Sequence, residues 1–362
     1  MAVFVLGAGA TRGASFVDVM KNPCLPPLDS DFFTQLQRIQ SAKHHETVDS
    51  VIRDTTELFG RNFAVTMEAV FTTLEHTMRM VRTTGERREF KYADLVRKRD
   101  NLTQAIAALF EESLCSGRDM LECEHHRRLV NYMVPADSII SFNYDCLVDH
   151  MLKKAGDNRW NPRYGYGLAL RKKGALRGGY EWWTPSQPAA IKQTVHLYKL
   201  HGSLHFSENV RTSVLMLKQR PYTRQHGLLR FAIIPPESYK RYDEGFFARL
   251  WRGAGDAIHA AETLVFIGYS MPETDQHSNA FFRTNIRKES LKSLVVVNPD
   301  RAARRRIRSV VRVGLTEGSR VHSFDTLAEF AACSRSLWEP RAAPPNAPPR
   351  LLPPPSVPSP AP

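Results

Sequence analysis

Two polar residues stand where short apolar runs stop, and their types suit a reaction that needs an oriented substrate and a base. Asn143 follows Ser138-Ile-Ile-Ser-Phe142, and His201 follows Val195-His-Leu-Tyr-Lys-Leu200. An imidazole titrates near neutrality, so His201 at the mouth of a crevice suits the role of general base. A carboxamide is uncharged and offers both donor and acceptor; Asn143 either reaches into that crevice or ends its strand in a turn. His205 lies four residues after His201, a spacing that raises a metal site. No third ligand accompanies the pair and the segment does not read as a helix, so no metal is expected.

A third feature is the glycine loop Gly7-Ala8-Gly9-Ala10-Thr11-Arg12-Gly13, directly after an apolar run. Such a loop between strand and helix can bring backbone amides against a phosphate. The dinucleotide fingerprint of dehydrogenases wants glycine three residues after Gly9, where this chain has Arg12 and supplies Gly13 one position later. The loop thus admits a nucleotide or an ordinary strand-to-helix turn. Next, Pro26-Pro-Leu-Asp-Ser-Asp-Phe-Phe33 bends toward a helix that Asp29 or Ser30 could cap. Its functional reading is a flap over a nucleotide, with Phe32 or Phe33 as an apolar lid.

These residues need a scaffold, and the hydrophobic pattern supplies one. From about 41 to 135 the period is helical: Phe63, Met67, Val70, Phe71, Leu74, Met78 and Val81 recur at spacings of three and four, as do Leu95, Leu102, Ile106, Leu109, Phe110 and Leu114. Two long amphipathic helices and no strand are expected there, with Glu68 a helix-surface charge. Around this block lie apolar strands at the start of the chain, at 138–142, 195–200, 231–234, 263–267, 294–297 and 321–324, most followed by a helical pattern. Asp145 and Asp275 sit where they would cap two of those helices. Apolar strands alternating with helices predict an α/β fold, a doubly wound, mainly parallel Rossmann-like sheet with a helical insertion. The predicted division is a Rossmann-like domain from residues 1–40 and 136–338, an insertion at 41–135, and a disordered proline-rich tail at 339–362. Residues 156–194, with Trp160, Trp182 and Trp183, read as an irregular loop or hairpin over the site.

Composition narrows the setting. The 362 residues, 42% hydrophobic, are enough for one large core and need no staples. Five scattered cysteines without a CxxC pair argue against both a disulfide framework and a zinc knuckle, and suit a reducing compartment. The first apolar run is broken at Gly7 and no later run has membrane-spanning length, so a cytoplasmic location with no membrane partner is expected. The net charge of +13 favours polyanions or an acidic partner. The basic residues cluster at Arg171-Lys-Lys173 with Arg177, and as six arginines between Arg301 and Arg312. These read as solvated faces, with a nucleic-acid or partner surface as the alternative.

In combination, Gly7-Ala-Gly-Ala10, Pro26 to Phe33, Ser141-Phe-Asn-Tyr-Asp145, Lys199-Leu-His-Gly-Ser203, Gly268-Tyr-Ser-Met-Pro-Glu-Thr-Asp275 and Val297-Asn-Pro299 resemble the sirtuin-like NAD-consuming domains of prokaryotic anti-phage defence proteins. The resemblance runs from about residue 2 to 330, the helical block matching only in position and character. It implies that Gly7, Ala8 and Gly9 approach the NAD phosphates, that Asp31 and Phe32 line the nicotinamide pocket, and that Gly268, Ser270 and Asn298 hold the adenosine half. Asn143 and His201 become the catalytic pair. Protein-deacylating sirtuins carry a zinc module of two CxxC pairs, which this sequence lacks. The implied activity is therefore hydrolysis of NAD to ADP-ribose and nicotinamide, in the setting of NAD depletion during infection. An NAD-dependent deacylase or ADP-ribosyltransferase, and a sensor that binds NAD or ADP-ribose without turnover, are the alternatives. Because unchecked NAD hydrolysis harms its host, latency until self-assembly or until a separate activator chain binds is expected.

Overall fold

The computed structural model describes residues 1–87, 90–156, 159–168, 170–172, 180–182, 194–218, 220–225, 227–234, 245–273 and 275–333. The chain opens with β1 (Ala2–Leu6), which enters the glycine loop and a short helix, α1 (Ala8–Arg12). A 3-10 turn at Asp29–Asp31 leads to α2 (Phe32–Leu36), α3 (Ala42–Phe59), α4 (Met67–Thr84) and α5 (Tyr92–Leu114). A small hairpin of β2 (Cys115–Ser116) and β3 (Asp119–Met120) precedes α6 (Glu124–Tyr132). Then come β4 (Ser138–Ser141), α7 (Leu147–Lys154), α8 (Pro162–Gly165), β5 (Leu170–Lys172) and β6 (Tyr180–Trp182). β7 (His196–Lys199) runs almost directly into β8 (Gly202–Asn209), followed by β9 (Leu215–Leu217) and β10 (Leu229–Ile233). The described chain ends with α9 (Gly245–Ala260), β11 (Thr263–Ile267), α10 (Gln276–Asn285), β12 (Leu291–Val297), α11 (Arg301–Val311), β13 (Leu315–Phe324) and α12 (Leu327–Ala332).

Six strands form one sheet in the order β13-β12-β11-β1-β4-β7, and every neighbouring pair is parallel. The chain builds outward from β1 through β4 to β7, then crosses back and builds the other half through β11. This is the doubly wound α/β arrangement expected from the sequence. The order reverses between β1 and β11, and beyond the carboxyl ends of those strands a parallel sheet opens a crevice. The register fixes what meets there: Leu6 pairs with Ser141 and Ile267, Ser141 with Lys199, and Ile267 with Val297. The next residues along each strand, including Gly7, Asn143, His201, Gly268 and Asn298, therefore emerge at the same end of the sheet.

The strands read as unbroken apolar runs because helices cover both faces. Val3 to Leu6, Leu264 to Ile267 and Leu294 to Val296 are essentially without exposed surface. Burying a Val, Leu, Ile or Phe side chain contributes about 1.5–3 kcal/mol, so these strands dominate the stability of the frame.

Three features depart from the sequence reading. The 41–135 block, expected to hold no strand, contains the two-residue strands of the β2–β3 hairpin, too short to leave an alternating pattern in the sequence. The segment 195–205 is not one strand ending in polar residues but two strands meeting at a corner. After β7 leaves the parallel sheet, β8 enters a separate five-stranded antiparallel sheet in the order β10-β8-β9-β6-β5. Gly202 makes the corner: its φ is +80°, and an added Cβ would lie 2.1 Å from the Ala232 carbonyl oxygen. The strand at 229–233 belongs to this second sheet, not to the parallel one. In the helical block three long helices replace the expected two, because α3 buries only Val51, Asp54, Thr55 and His44 and so shows a weak apolar stripe. Lys98 of α5, almost fully buried, bonds Asp54 at 3.2 Å and also Glu57, which ties that polar face of α3 down.

Helices α3 to α5 share a second apolar cluster with Phe32, Phe33, Tyr144, Tyr222, Phe231 and Ile233. That cluster joins the helical block to the antiparallel sheet and to the Pro26–Phe33 segment. Asp29, expected to cap a helix at its own position, accepts the Glu68 backbone N–H at 2.9 Å and so helps start α4, whose first turn Thr66 also caps. The proline-rich tail at 339–362 and most of the 156–194 loop, including Trp183, lie outside the described residues.

Candidate functional site

Asn143 is held by the glycine loop. Its Nδ2 donates to the Gly7 carbonyl at 2.9 Å and to Thr11 Oγ1 at 3.1 Å, while Thr11 spends its own proton on Asp145 Oδ2 at 2.7 Å. A carbonyl can only accept and the Thr11 hydroxyl is already a donor, so the amide must turn its N–H groups to both. Asn143 Oδ1 is then the end left over among the described residues, on a side chain that is 9% exposed. Asp145 stands one residue before the N-cap of α7, Cys146, and accepts the Leu147 N–H at 2.9 Å through Oδ1 while Oδ2 holds Thr11.

His201 occupies the β7–β8 corner. Its carbonyl accepts the Ile234 N–H at 2.8 Å, and its ring packs edge-on against Phe142 at 5.1 Å. Phe142 in turn stacks on Tyr269 at 4.5 Å, and Trp251 closes the wall while donating Nε1–H to the Leu200 carbonyl at 3.1 Å. The imidazole Nε2 lies 4.0 Å from Asp275 Oδ2, with both side chains about 10% exposed. Asp275 also caps α10 as expected, accepting from Ser278 N at 3.2 Å and Ser278 Oγ at 2.6 Å. A capping carboxylate facing an imidazole can orient the ring and offset positive charge on it. The sequence marks Asp275 only as a cap, since nothing local shows that α10 starts opposite the β7 corner.

Lys199 is a second residue whose role the sequence does not show. It is fully buried, donates to the Asp145 carbonyl at 2.5 Å and pairs with Asp149 at 3.5 Å. The motif Lys199-Leu-His-Gly-Ser203 held the clue, because a lysine inside a parallel strand has no water to charge against and must find a carboxylate.

The glycine loop serves first to let two strand-end loops touch. Gly7 N–H donates to Ile267 O at 3.0 Å, Gly9 N–H to Gly268 O at 3.0 Å, and Ala10 N–H to Gly7 O at 2.9 Å. A Cβ on Gly268, whose φ is +59°, would lie 2.1 Å from Ala10 N. The amides of Gly7 and Gly9 are thus already used; Ala8 at the head of α1 is exposed, as is Gly13 at the far end of the loop.

Arg12, which spoiled the dehydrogenase fingerprint, has its own task. It donates Nε–H to Pro26 O at 2.6 Å and pairs with Asp31 at 2.5 Å, holding the Pro26–Phe33 segment beside the loop. Asp31 further accepts from Leu28 N and Gln35 Nε2, so its carboxylate is heavily engaged. Phe32 has no exposed surface; it packs edge-on against Phe33 at 5.1 Å inside the helical cluster. The same cluster includes Tyr144, the neighbour of Asn143.

On the far side, Asn298 Nδ2 donates to Tyr269 O at 3.0 Å and Oδ1 accepts the Asp300 N–H at 2.9 Å, tying the β12 end to the β11 loop. Ser270 is exposed, and its carbonyl accepts from Arg306 at 3.0 and 3.2 Å. The basic run of α11 is therefore not simply a solvated face: Arg304 binds the Asn298 and Phe324 carbonyls and Asp325, and Arg308 reaches Ser323. Arg301, Arg305 and Arg312 point outward. The Arg171–Arg177 cluster lies largely outside the described residues.

His205 turns away from His201, bonding Tyr166 through Nδ1 at 3.0 Å and the Lys218 carbonyl through Nε2 at 2.5 Å. Among the described residues no group of three or more His, Cys, Asp or Glu is placed to hold a metal ion. No described helix is long and apolar enough to cross a membrane.

Residues 137–313 match the family model of the SIR2-like domain. None of the curated proteins compared with the chain matches it. The matched span contains Asn143, His201, Gly268, Ser270 and Asn298; Gly7, Ala8, Gly9, Asp31 and Phe32 precede it. A sirtuin-like domain is supported over that span, and with it NAD-related chemistry in general terms.

Proposed function

We propose that this protein is an NAD glycohydrolase that cleaves the nicotinamide–ribose bond to give nicotinamide and ADP-ribose. The observation that carries the reading is the pairing, at the carboxyl ends of adjacent strands, of an asparagine with its Oδ1 left over and a histidine faced by a carboxylate. Loss of nicotinamide develops oxocarbenium character on the ribose, so the reaction needs an oriented ribose and a base for the incoming water. Asn143 Oδ1 is the acceptor that would orient a ribose hydroxyl or that water, and its fixed Nδ2 means little reorganisation on binding. His201 is the base, and Asp275 Oδ2, 4.0 Å from Nε2, offsets the positive charge the ring takes on as it accepts a proton.

The substrate would lie across the β1–β11 crevice, with Gly268, Ser270 and Asn298 along its adenosine half and the Gly7–Gly9 loop, chiefly Ala8, near the phosphates. Asp31 and Phe32 complete the nicotinamide end in this proposal, Asp31 through the loop that Arg12 holds and Phe32 by packing behind it. The division into a Rossmann-like domain of 1–40 and 136–338 with a helical insertion at 41–135 belongs to the same reading. NAD depletion by a cytoplasmic defence effector, kept latent until self-assembly or a separate chain activates it, is the biological setting we favour. It rests on resemblance.

Incubation of the protein with NAD, followed by chromatographic identification of products, tests the reaction class. Nicotinamide and ADP-ribose in equal amounts are expected. A cyclised product or ADP-ribose attached to a macromolecule would move the assignment to a cyclase or transferase. Binding without turnover would reduce the protein to a sensor.

A further inference from the structure

Away from the strand-end crevice lies a cavity of about 990 Å³, bounded by α3 and α5, the β2–β3 hairpin, α7 and the antiparallel sheet. Cys146, which precedes α7, and Asp149, His150 and Lys153 on one face of that helix supply part of its lining. None of the residues assigned to the NAD site lines it.

Its charges are uneven. Lys153 on α7, Arg118 in the hairpin and Arg220 after β9 all line the cavity, and none has a carboxylate within ion-pair reach among the described residues. Of the acids there, Glu111 is paired with Lys43 at 2.8 Å and approached by His44, and Asp149 faces buried Lys199 at 3.5 Å, which leaves Asp119 of the hairpin as the one lining carboxylate without an ion pair among the described residues. His150 adds a buried Nε2 with no hydrogen-bond partner among the described residues. Tyr222, Trp160, Leu217 and Ala108 add apolar and aromatic surface to the lining. Three cations without an ion pair among the described residues, lining one cavity together with aromatic and apolar side chains, in a volume at the upper end of the range for small-molecule sites, suit a ligand with phosphates at one end and a flat apolar ring at the other.

The cavity is also wired to Asn143. Thr11, which holds the Asn143 amide, bonds Asp145; Lys199 bonds the Asp145 carbonyl and pairs with Asp149. Tyr166 then donates to Asp149 at 2.5 Å and contacts His205 at 3.0 Å, and His205 reaches the carbonyl of Lys218 at 2.5 Å. Asp149, His205 and Lys218 all line the cavity. This continuous buried polar chain can carry a shift at the cavity floor to the residue that positions Asn143.

We infer that the cavity is an effector site for a nucleoside phosphate, separate from the NAD site and coupled to it through the Thr11–Asp145–Lys199–Asp149 chain. The coupling rests on the proposed NAD hydrolysis; the binding does not.

ADP is the probe. In His201→Ala protein saturated with NAD, calorimetric titration with ADP shows one further site. Lys153→Glu/Arg220→Glu weakens that site about tenfold or more, as loss of charge-assisted phosphate contacts requires, and Arg118→Glu, on a different element, does the same. Inorganic pyrophosphate binds there more weakly than ADP because it leaves the apolar and aromatic lining uncovered. In the wild-type protein at saturating NAD, ADP changes nicotinamide release at least threefold, and the ratio of rates with and without ADP returns to one in the double variant. No further site, or a site indifferent to all three charge reversals, overturns the inference; binding without any change in rate overturns the effector role. If the protein does not bind NAD at all, the same titration on NAD-free protein still finds or fails to find the charge-sensitive site, so the two readings fail separately.

Discussion

The strand-end crevice and the basic cavity are built on opposite terms. At the crevice nearly every polar group is already paired within the protein: Gly9 N–H with Gly268 O, Asn143 Nδ2 with Gly7 O, Asn298 with Tyr269 O. The cavity instead keeps Lys153, Arg118 and Arg220 unpaired among the described residues. Internal pairing gives a rigid frame in which one leftover atom, Asn143 Oδ1, is aimed; unpaired charge gives capture with less geometric demand. The difference teaches where chemistry and where simple recognition belong in this molecule.

Breaking the crevice should therefore cost folding, while altering the cavity should not. Gly268→Val places a branched side chain at a φ of +59°, where even a Cβ would sit 2.1 Å from Ala10 N and 2.2 Å from Gly9 C. We expect a loss of more than about 3 kcal/mol in denaturant unfolding, against within about 0.5 kcal/mol for Lys153→Glu. Equal effects of the two substitutions would erase the contrast.

The same contrast was only half legible in the sequence. The parallel strands showed because burial on both faces leaves unbroken runs such as Leu294–Val297, and Asn143 and His201 showed because they end such runs. The second sheet did not: β7 and β8 are separated only by Leu200 and His201, and the turn between them is a property of Gly202 against Ala232, visible only once β10 is in place. Nor does sequence reveal that Arg12 pairs with Asp31 or that Gly9 abuts Gly268, since both depend on segments brought together by the sheet. The α11 arginines looked alike in sequence; only the strand-end carbonyls they meet distinguish Arg304 and Arg306 from Arg305. The cavity left no motif at all, because its walls come from elements far apart along the chain.

A smaller effect sharpens the comparison through two buried thiols. Cys123 caps the start of α6 and accepts the Ser15 N–H at 3.3 Å, just beyond the glycine loop. Burial pushes its thiol up, but the hydrogen bond and charge of His126, whose Nδ1 is 3.1 Å away, outweigh that and hold it down at about 6. Cys146, on the cavity floor, is pushed up by burial and by Asp149, and stays a thiol. A thiol with its native value below the unfolded one adds stability that is fully present above the ordinary thiol range and is lost as the pH falls through about 6. The thiolate absorbance near 240 nm, taken as wild type minus Cys123→Ser, should titrate with a midpoint near 6. A midpoint in the ordinary thiol range would show that His126 does not hold the anion.

The most direct test of the account is nicotinamide release from saturating NAD by wild-type, Asn143→Ala and His201→Ala protein, each shown to be folded by its melting curve. The proposed roles predict that both variants lose about 100-fold or more in kcat, while NAD affinity changes by only a few fold. Wild-type turnover in either variant would contradict the assignment of the Asn143–His201 pair.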